Sequence, residues 1–244
     1  SFTYPGAVVP ALTDLNFSIQ RGESIGIVGR VGSGKSTLLK LCTRLLELNE
    51  GSVELDGVPI DSYALAQLRS QIAQVLQDPF LFGEALAANI SYDDPERALD
   101  LIWDAADAAA LRETVLTFPE QMSTLVGERG VTLSGGQKQR TTLARGLIRN
   151  APVLILDDCF SAVDTETEEH ILSRLKRLRA GKTTILVSHR VSTLRHTDRI
   201  LVLEGGCLME SGSHDALLAK GGLYAELERL QTQGQRSDFE PELV

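Results

Sequence analysis

Residues 29–37 read Gly-Arg-Val-Gly-Ser-Gly-Lys-Ser-Thr. The run Gly29-x4-Gly34-Lys35-Ser36 follows an apolar stretch, Ile25–Val28, and opens a helix-forming one, which is the context a phosphate-binding loop requires. Glycines let a backbone wrap phosphates with its N–H groups pointing inward. A helix that starts at the loop adds a favourable dipole. Lys35 then supplies a point charge to the β- and γ-phosphates, and Ser36 a hydroxyl to Mg²⁺.

Two further residues stand at the ends of apolar runs. Asp157 closes Val153–Leu156. In an open α/β sheet, ligands bind at the carboxyl ends of the strands, so this acid is placed to hold Mg²⁺. An acid that merely caps the next helix is the alternative. His189 follows Thr183–Val187 by two residues. It could reach a γ-phosphate, although a lone histidine is more often structural.

The elements that must position these groups can be read coarsely. Strands are expected near 15–19 and 24–28, with a helix from about 35 to 47 after the glycine loop. Gly51–Ile60 alternates Val53, Leu55 and Val58 with polar residues around Gly57, and so predicts short antiparallel strands. Ile72–Leu76 predicts another strand, running into Gln77-Asp78-Pro79. Residues 84 to about 150 are Ala-rich and helical in character, as an inserted lobe would be. After Pro152 strands at 153–156, 183–187 and 200–203 alternate with helices, the last of these being the final strand expected. Short apolar runs between helices point to a parallel sheet covered on both faces. Two helices, about 213–219 and 222–231, should close the fold, with a polar, acidic, frayed tail at 235–244.

Composition narrows the field. The chain has 244 residues, enough for one large domain or a domain with an inserted lobe. A hydrophobic share of 43% and a charged share of 23% are ordinary for a globular protein. The net charge of −9 argues against a nucleic-acid surface. Cysteines at 42, 159 and 207 show no paired spacing, so buried reduced thiols are expected. No apolar run approaches the ~20 residues that span a bilayer. The chain opens inside what reads as a strand, Ser1-Phe2-Thr3-Tyr4, as expected of a domain cut from a longer protein.

Residues 133–137 read Leu-Ser-Gly-Gly-Gln. With the phosphate loop, this sequence resembles the nucleotide-binding domain of an ABC transporter, whose signature it matches. A second helix N-terminus is a second anion site. The resemblance covers nearly the whole chain, residues 1–244. It implies an α/β fold: a P-loop NTPase (RecA-like) core, an antiparallel β subdomain and an inserted α-helical subdomain at about 84–150. It implies two ATP molecules sandwiched in a head-to-tail dimer, each between one chain's Gly29, Arg30, Gly32, Ser33, Gly34, Lys35, Ser36 and Thr37 and the other's Ser134, Gly135, Gly136 and Gln137. By the same resemblance Tyr4 stacks on adenine, and Gln77 senses Mg²⁺ and the γ-phosphate. Ser36, Gln77 and Asp157 hold the metal, and His189 is the switch histidine. Ser161-Ala162-Val163-Asp164 links the two sites. Thr124-Leu125-Val126-Gly127-Glu128-Arg129-Gly130 resembles a stretch of exporters that touches the membrane domain's coupling helices. The implied location is the cytoplasmic face of a membrane, the inner one in a bacterium, reached only through transmembrane parts.

One residue departs from the family pattern. Asp158 follows Asp157, where the family usually carries Glu as general base or as orienter of the attacking water. A carboxylate one methylene shorter is displaced by about 1 Å, which can cost ~10²-fold in rate. The expectation is a degenerate site, with catalysis involving Asp158, Gln77 and His189 slow here, and a different partner chain bearing Glu. This chain's own signature would then complete the partner's competent site. A homodimer that hydrolyses ATP adequately with Asp158, and an introduced substitution, are the alternatives. A soluble nucleic-acid-associated ABC ATPase is a further class, opposed by the acidic charge, the short lobe and the 124–130 stretch. A regulator that never turns ATP over is another. The transported substrate cannot be read, because a membrane domain chooses it.

Overall fold

The computed structural model describes residues 1–127 and 130–237. In chain order the elements are β1 (Ser24–Gly29), α1 (Lys35–Cys42), β2 (Glu54–Leu55), β3 (Val58–Pro59), α2 (Leu65–Gln71), β4 (Ile72–Val75), α3 (Leu86–Ile90), α4 (Leu99–Ala108), α5 (Arg112–Leu116) and α6 (Gly135–Ile148). Then follow β5 (Val153–Asp157), α7 (Thr165–Leu178), β6 (Thr183–Val187), α8 (Val191–Leu194), β7 (Arg199–Glu204), β8 (Cys207–Gly212), α9 (His214–Lys220) and α10 (Leu223–Ser237). The chain forms two compact units. The first is Ser1–Leu65 with the chain from Leu186 onward; the second is Ala66–Ile185.

In the first unit β1 runs parallel to β7, with Ile25 opposite Arg199 and Gly29 opposite Leu203. Ile25, Ile27, Val28 and the run Ile200–Leu203 are almost fully buried. Near-continuous apolar strands of this kind have both faces covered. β8 pairs antiparallel with β7. The turn between them is Gly205-Gly206, with φ of 55° and 80°. β2 and β3 form a two-stranded antiparallel ribbon around Asp56-Gly57, also at positive φ, the geometry that matches the twist of a tight hairpin.

In the second unit β4 runs parallel to β5, with Ile72 opposite Val153 and Val75 opposite Leu156. Between these strands lie α3 to α6. Helix α6 begins with a reciprocal cap: Gln137 N–H donates to Ser134 Oγ (3.2 Å) and Ser134 N–H to Gln137 Oε1 (2.8 Å). Arg179, at the end of α7, is buried and donates to the carbonyls of Ala151 (2.6 Å), Pro152 (3.2 Å) and Thr183 (2.9 Å). One guanidinium thereby ties the start of β5 to the start of β6.

Several expectations need correction. Ser1-Phe2-Thr3-Tyr4 forms no strand; Phe2 makes an isolated bridge to Leu12. Residues 15–19 form no strand: the alternation of Leu15, Phe17 and Ile19 is real, but the segment has no ladder partner. The helix after the glycine loop ends at Cys42 rather than near 47, because Arg44 turns left-handed (φ 49°) and donates to the carbonyls of Ile60 and Tyr63. The strand at 200–203 is not the last; β8 follows it. The final helix continues to Ser237, past the expected 231, and residues 238–244 of the expected tail lie outside the described residues. The three cysteines are free, but only Cys159 is buried as expected; Cys42 and Cys207 are half-buried, and desolvation still pushes the Cys42 thiol up to about 11.

Gly146 marks where α6 meets β4. A methyl group there would overlap Val75 Cγ2, and Val75 is stiff and buried. In an open helix Gly→Ala gains about 1 kcal/mol. Here overpacking, about 1–3 kcal/mol, outweighs that gain. Gly146→Ala is therefore expected to lower the chemical-denaturation stability, by up to about 2 kcal/mol; a stabilised variant would show that the interface yields freely.

Candidate functional site

In the first unit, β1 delivers the chain into the glycine loop. A methyl group on Gly29 would strike the Leu203 carbonyl of β7, so only glycine fits there. Gly32 and Gly34 sit at φ 82° and 97°. Gly34 is the N-cap of α1 and, lacking a side chain, leaves the first N–H groups of that helix without a side-chain cap. Such orphan donors suit an anion. Lys35 is buried; its Nζ donates to Gly29 O (2.8 Å), Arg30 O (3.0 Å) and Ser33 Oγ (3.3 Å). The ammonium thus lies over the loop it belongs to. Ser36 is exposed and Thr37 buried.

Tyr4 reaches the same helix: its hydroxyl is 3.1 Å from Thr37 Oγ1, and its ring packs edge-on against Phe2 at 4.9 Å. Arg30 pairs with Glu226 (2.8 Å) and Glu204 (3.5 Å). Both pairs are about half exposed and worth at most ~1 kcal/mol. His189, exposed, belongs to this unit as well. The preceding Ser188 donates its N–H to Ile27 O (3.3 Å) on β1 and accepts from Arg190 N–H at Oγ (3.0 Å).

The second unit holds the remaining groups. Parallel pairing puts the carboxyl ends of β4 and β5 at one edge. Exposed Gln77 follows the first, and Asp157 and Asp158, both nearly buried, end the second. Asp158 is left-handed, with φ 44°. Asp tolerates that region better than most side chains. The Ser161–Asp164 loop is held against the start of α6. Gln139, itself buried, donates from Nε2 to Ser161 Oγ (2.8 Å) and accepts from Ala162 N–H at Oε1 (2.8 Å). A methyl group on Gly136 would come within 2.7 Å of Ala162 O, and one on Gly135 within 3.3 Å of its Cβ. The signature glycines are thus also packing glycines. Nothing in the local sequence singles out Gln139, because both of its partners lie more than twenty residues away.

Of the 124–130 stretch, Glu128 and Arg129 lie outside the described residues. Val126 N–H donates to Glu84 O and Val131 N–H to Leu125 O. A cavity of about 350 Å³ nearby is lined by Pro79, Phe80, Leu81, Gly127, Thr132, Leu133 and Lys138. Among the described residues no helix is long and apolar enough to cross a membrane.

The sequence profile of the family described as "ABC transporter" matches residues 12–161. The chain belongs to the ABC transporter family. It is 47% identical over 236 residues to the ATP-dependent lipid A-core flippase of Burkholderia orbicola (strain AU 1054), and 45% identical over 232 residues to that of Vibrio vulnificus (strain YJ016). These matches cover 96% and 95% of this chain but only 40% of each relative. A bacterial Atm1-family ABC exporter solved with ATP bound superposes with a TM-score of 0.90 at 40% identity, over 94% of this chain and 40% of that one. Within the ABC family this is an ATP-binding domain of the exporter type, an α/β fold with a parallel-sheet core.

Asp164 gives the site a pH-sensitive support. Its Oδ1 accepts from Thr167 N–H (2.9 Å), capping α7. Hydrogen bonds from the Thr167 backbone and then its side chain hold the carboxyl below the usual carboxylate range. A folded-state value below the unfolded one adds stability above about pH 4 that disappears as pH falls through the folded value. The gap in melting temperature between the native chain and Asp164→Ala should therefore be open at neutral pH and close on acidification below about pH 4. A gap independent of pH would remove the charged cap from the account.

Proposed function

We propose that this chain is the energy-coupling domain of an exporter. It forms a head-to-tail dimer with two ATP molecules between phosphate loops and signature loops, and its own hydrolytic site is degenerate. The observation that carries the degenerate-site reading is Asp158, directly after Asp157. The phosphates would lie on Gly29–Thr37, with Lys35 as the point charge, and adenine on Tyr4. Ser134–Gln137 and Asp164 would face the ATP of the partner's site. Mg²⁺ fits the donor set: Mg²⁺ sites commonly use one or two carboxylates, with phosphate and water oxygens completing the octahedron. Asp157 at a strand end, Ser36 at the helix start and Gln77 provide hard oxygens of that kind. When bound, the metal would neutralise charge on the phosphates. Residues 84–150 would act as the helical subdomain that carries the signature.

The chemistry divides cleanly. ATP binding draws on backbone N–H groups, Lys35 and the metal site, none of which involves Asp158. Hydrolysis needs a water aligned with the γ-phosphate, by a carboxylate that here has one methylene fewer. On this reading the partner is a different chain with Glu at the corresponding place. A homodimer is the second reading, favoured by the retained His189 and the intact Leu133–Gln137. In either case the domain docks on a membrane domain at the cytoplasmic face. The lipid A-core named for the relatives makes a lipid the candidate cargo.

Turnover of Mg·ATP by the full-length transporter, beside Asp158→Glu, tests the assignment, with nucleotide affinity as control. Equal affinity and a rise of ~10²-fold in this site's turnover with Glu are expected. Equal turnover by the native chain would establish the competent homodimer instead.

A further inference from the structure

Helix α10 belongs to no nucleotide motif, yet in the first unit it touches the chain at two functional loops. Its start is anchored firmly. Glu210 on β8, nearly buried, accepts from the N–H groups of Leu223 (3.1 Å) and Tyr224 (3.2 Å). Tyr224 is fully buried, and its hydroxyl meets His214 Nδ1 at 2.8 Å. One turn on, Glu226 pairs with Arg30 of the phosphate loop. About 12 Å along the helix from Leu223 comes Gln231. Its Nε2 donates to His189 O (2.6 Å), and its Oε1 accepts from Val191 N–H (2.8 Å).

A carboxamide carries a donor and an acceptor on one plane. Here the two reach the two peptide groups that flank Arg190. The carbonyl of His189 and the first N–H of α8 are both fixed by one side chain, itself fixed by an anchored helix. The backbone that orients the His189 ring is therefore set from outside its own loop. A carboxylate cannot donate at this position, and an aliphatic side chain can do neither.

We propose that Gln231 is a positioning residue for His189, holding the histidine loop in the orientation that ATP turnover uses. The proposal rests on the reading of His189 as a group at the γ-phosphate. It assigns Gln231 no contact with nucleotide.

The test uses the full-length transporter with Asp158→Glu as parent, so that this chain's site is competent under either reading above. Gln231→Met keeps the length and packing of the side chain and removes both hydrogen bonds. It is compared with His189→Ala and with the double variant, by steady-state turnover and by amide exchange over residues 188–194. Gln231→Met is expected to speed exchange at Val191 about 5-fold, the loss of one net hydrogen bond. It should lower kcat ~10-fold or more, as misplacement of a reacting group does, with KM within about two-fold. The double variant should turn over no more slowly than His189→Ala, since a residue acting only through His189 has nothing left to position. Unchanged exchange, unchanged kcat, or an undiminished Gln231→Met effect on top of His189→Ala overturns the proposal. Should His189→Ala itself match the parent, it is the reading of His189 that fails, and the exchange data separately report whether Gln231 holds the loop.

Discussion

The first unit is organised by the close approach of one strip of chain, Ala11-Leu12, to two glycines. A methyl group on Gly34 would overlap Leu12 Cδ2 and lie 2.8 Å from Ala11 O; one on Gly206 would lie 2.6 Å from the same oxygen. Both glycines are at positive φ. The strip is therefore clamped between the start of α1 and the β7–β8 turn, and Thr13 N–H donates to Gly206 O (2.9 Å) to lock it. Everything before it inherits that placement. Phe2 bridges to Leu12, and Phe2 supports Tyr4, which reaches Thr37 on the helix that the phosphate loop opens. Gly34 thus serves two ends: the turn of the loop, and the packing that brings an aromatic ring beside it.

A second device recurs through both units. Three side-chain amides each hold a loop through one donated and one accepted hydrogen bond. Asn89, fully buried, accepts from Phe82 N–H (2.8 Å) and donates to Phe82 O (3.0 Å), ahead of the 124–130 region. Gln139 holds Ser161 and Ala162, and Gln231 holds His189 and Val191. A loop with few ladder bonds would otherwise leave its peptide groups to water. An amide satisfies a donor and an acceptor at once, which an apolar contact cannot do. Rigid helices thereby dictate where loops present their side chains.

What the sequence made legible is what it encodes locally. Gly29–Thr37 and Leu133–Gln137 stand out because a family motif restricts residue types over a few consecutive positions, and the ABC transporter family they point to is the one whose profile matches. β5 and β6 were readable because buried parallel strands are continuous apolar runs. The misses have tertiary causes or overlooked turns. Leu15 to Ile19 alternates like a strand, but alternation cannot supply a partner. The end of α1 is set by where the Arg44 guanidinium finds carbonyls. β8 was signalled by Gly205-Gly206, a hairpin pair, but Cys207 to Gly212 has too few apolar residues to stand out. Gln139 and Gln231 carry no motif at all; their meaning lies in contacts across 22 and 42 residues.

The conformation of Asp158 bears on how the proposed degenerate site would sit beside intact neighbours. At φ 44° the backbone lies in the left-handed region, where Asp is enriched over most side chains. The residue is nearly buried, directly before Cys159, whose thiol is raised by burial first and then by the nearby acids. The turn out of β5 is consequently a constrained one, continuing into Phe160 and the loop that Gln139 holds against the signature helix. On the proposed reading, the signature face, built on Gly135, Gly136 and Ala162, would serve the partner's nucleotide while this chain's own site would lack its best-placed base. On that reading binding and hydrolysis would be separable because they would draw on different atoms, and Asp158 would be where that separation acts.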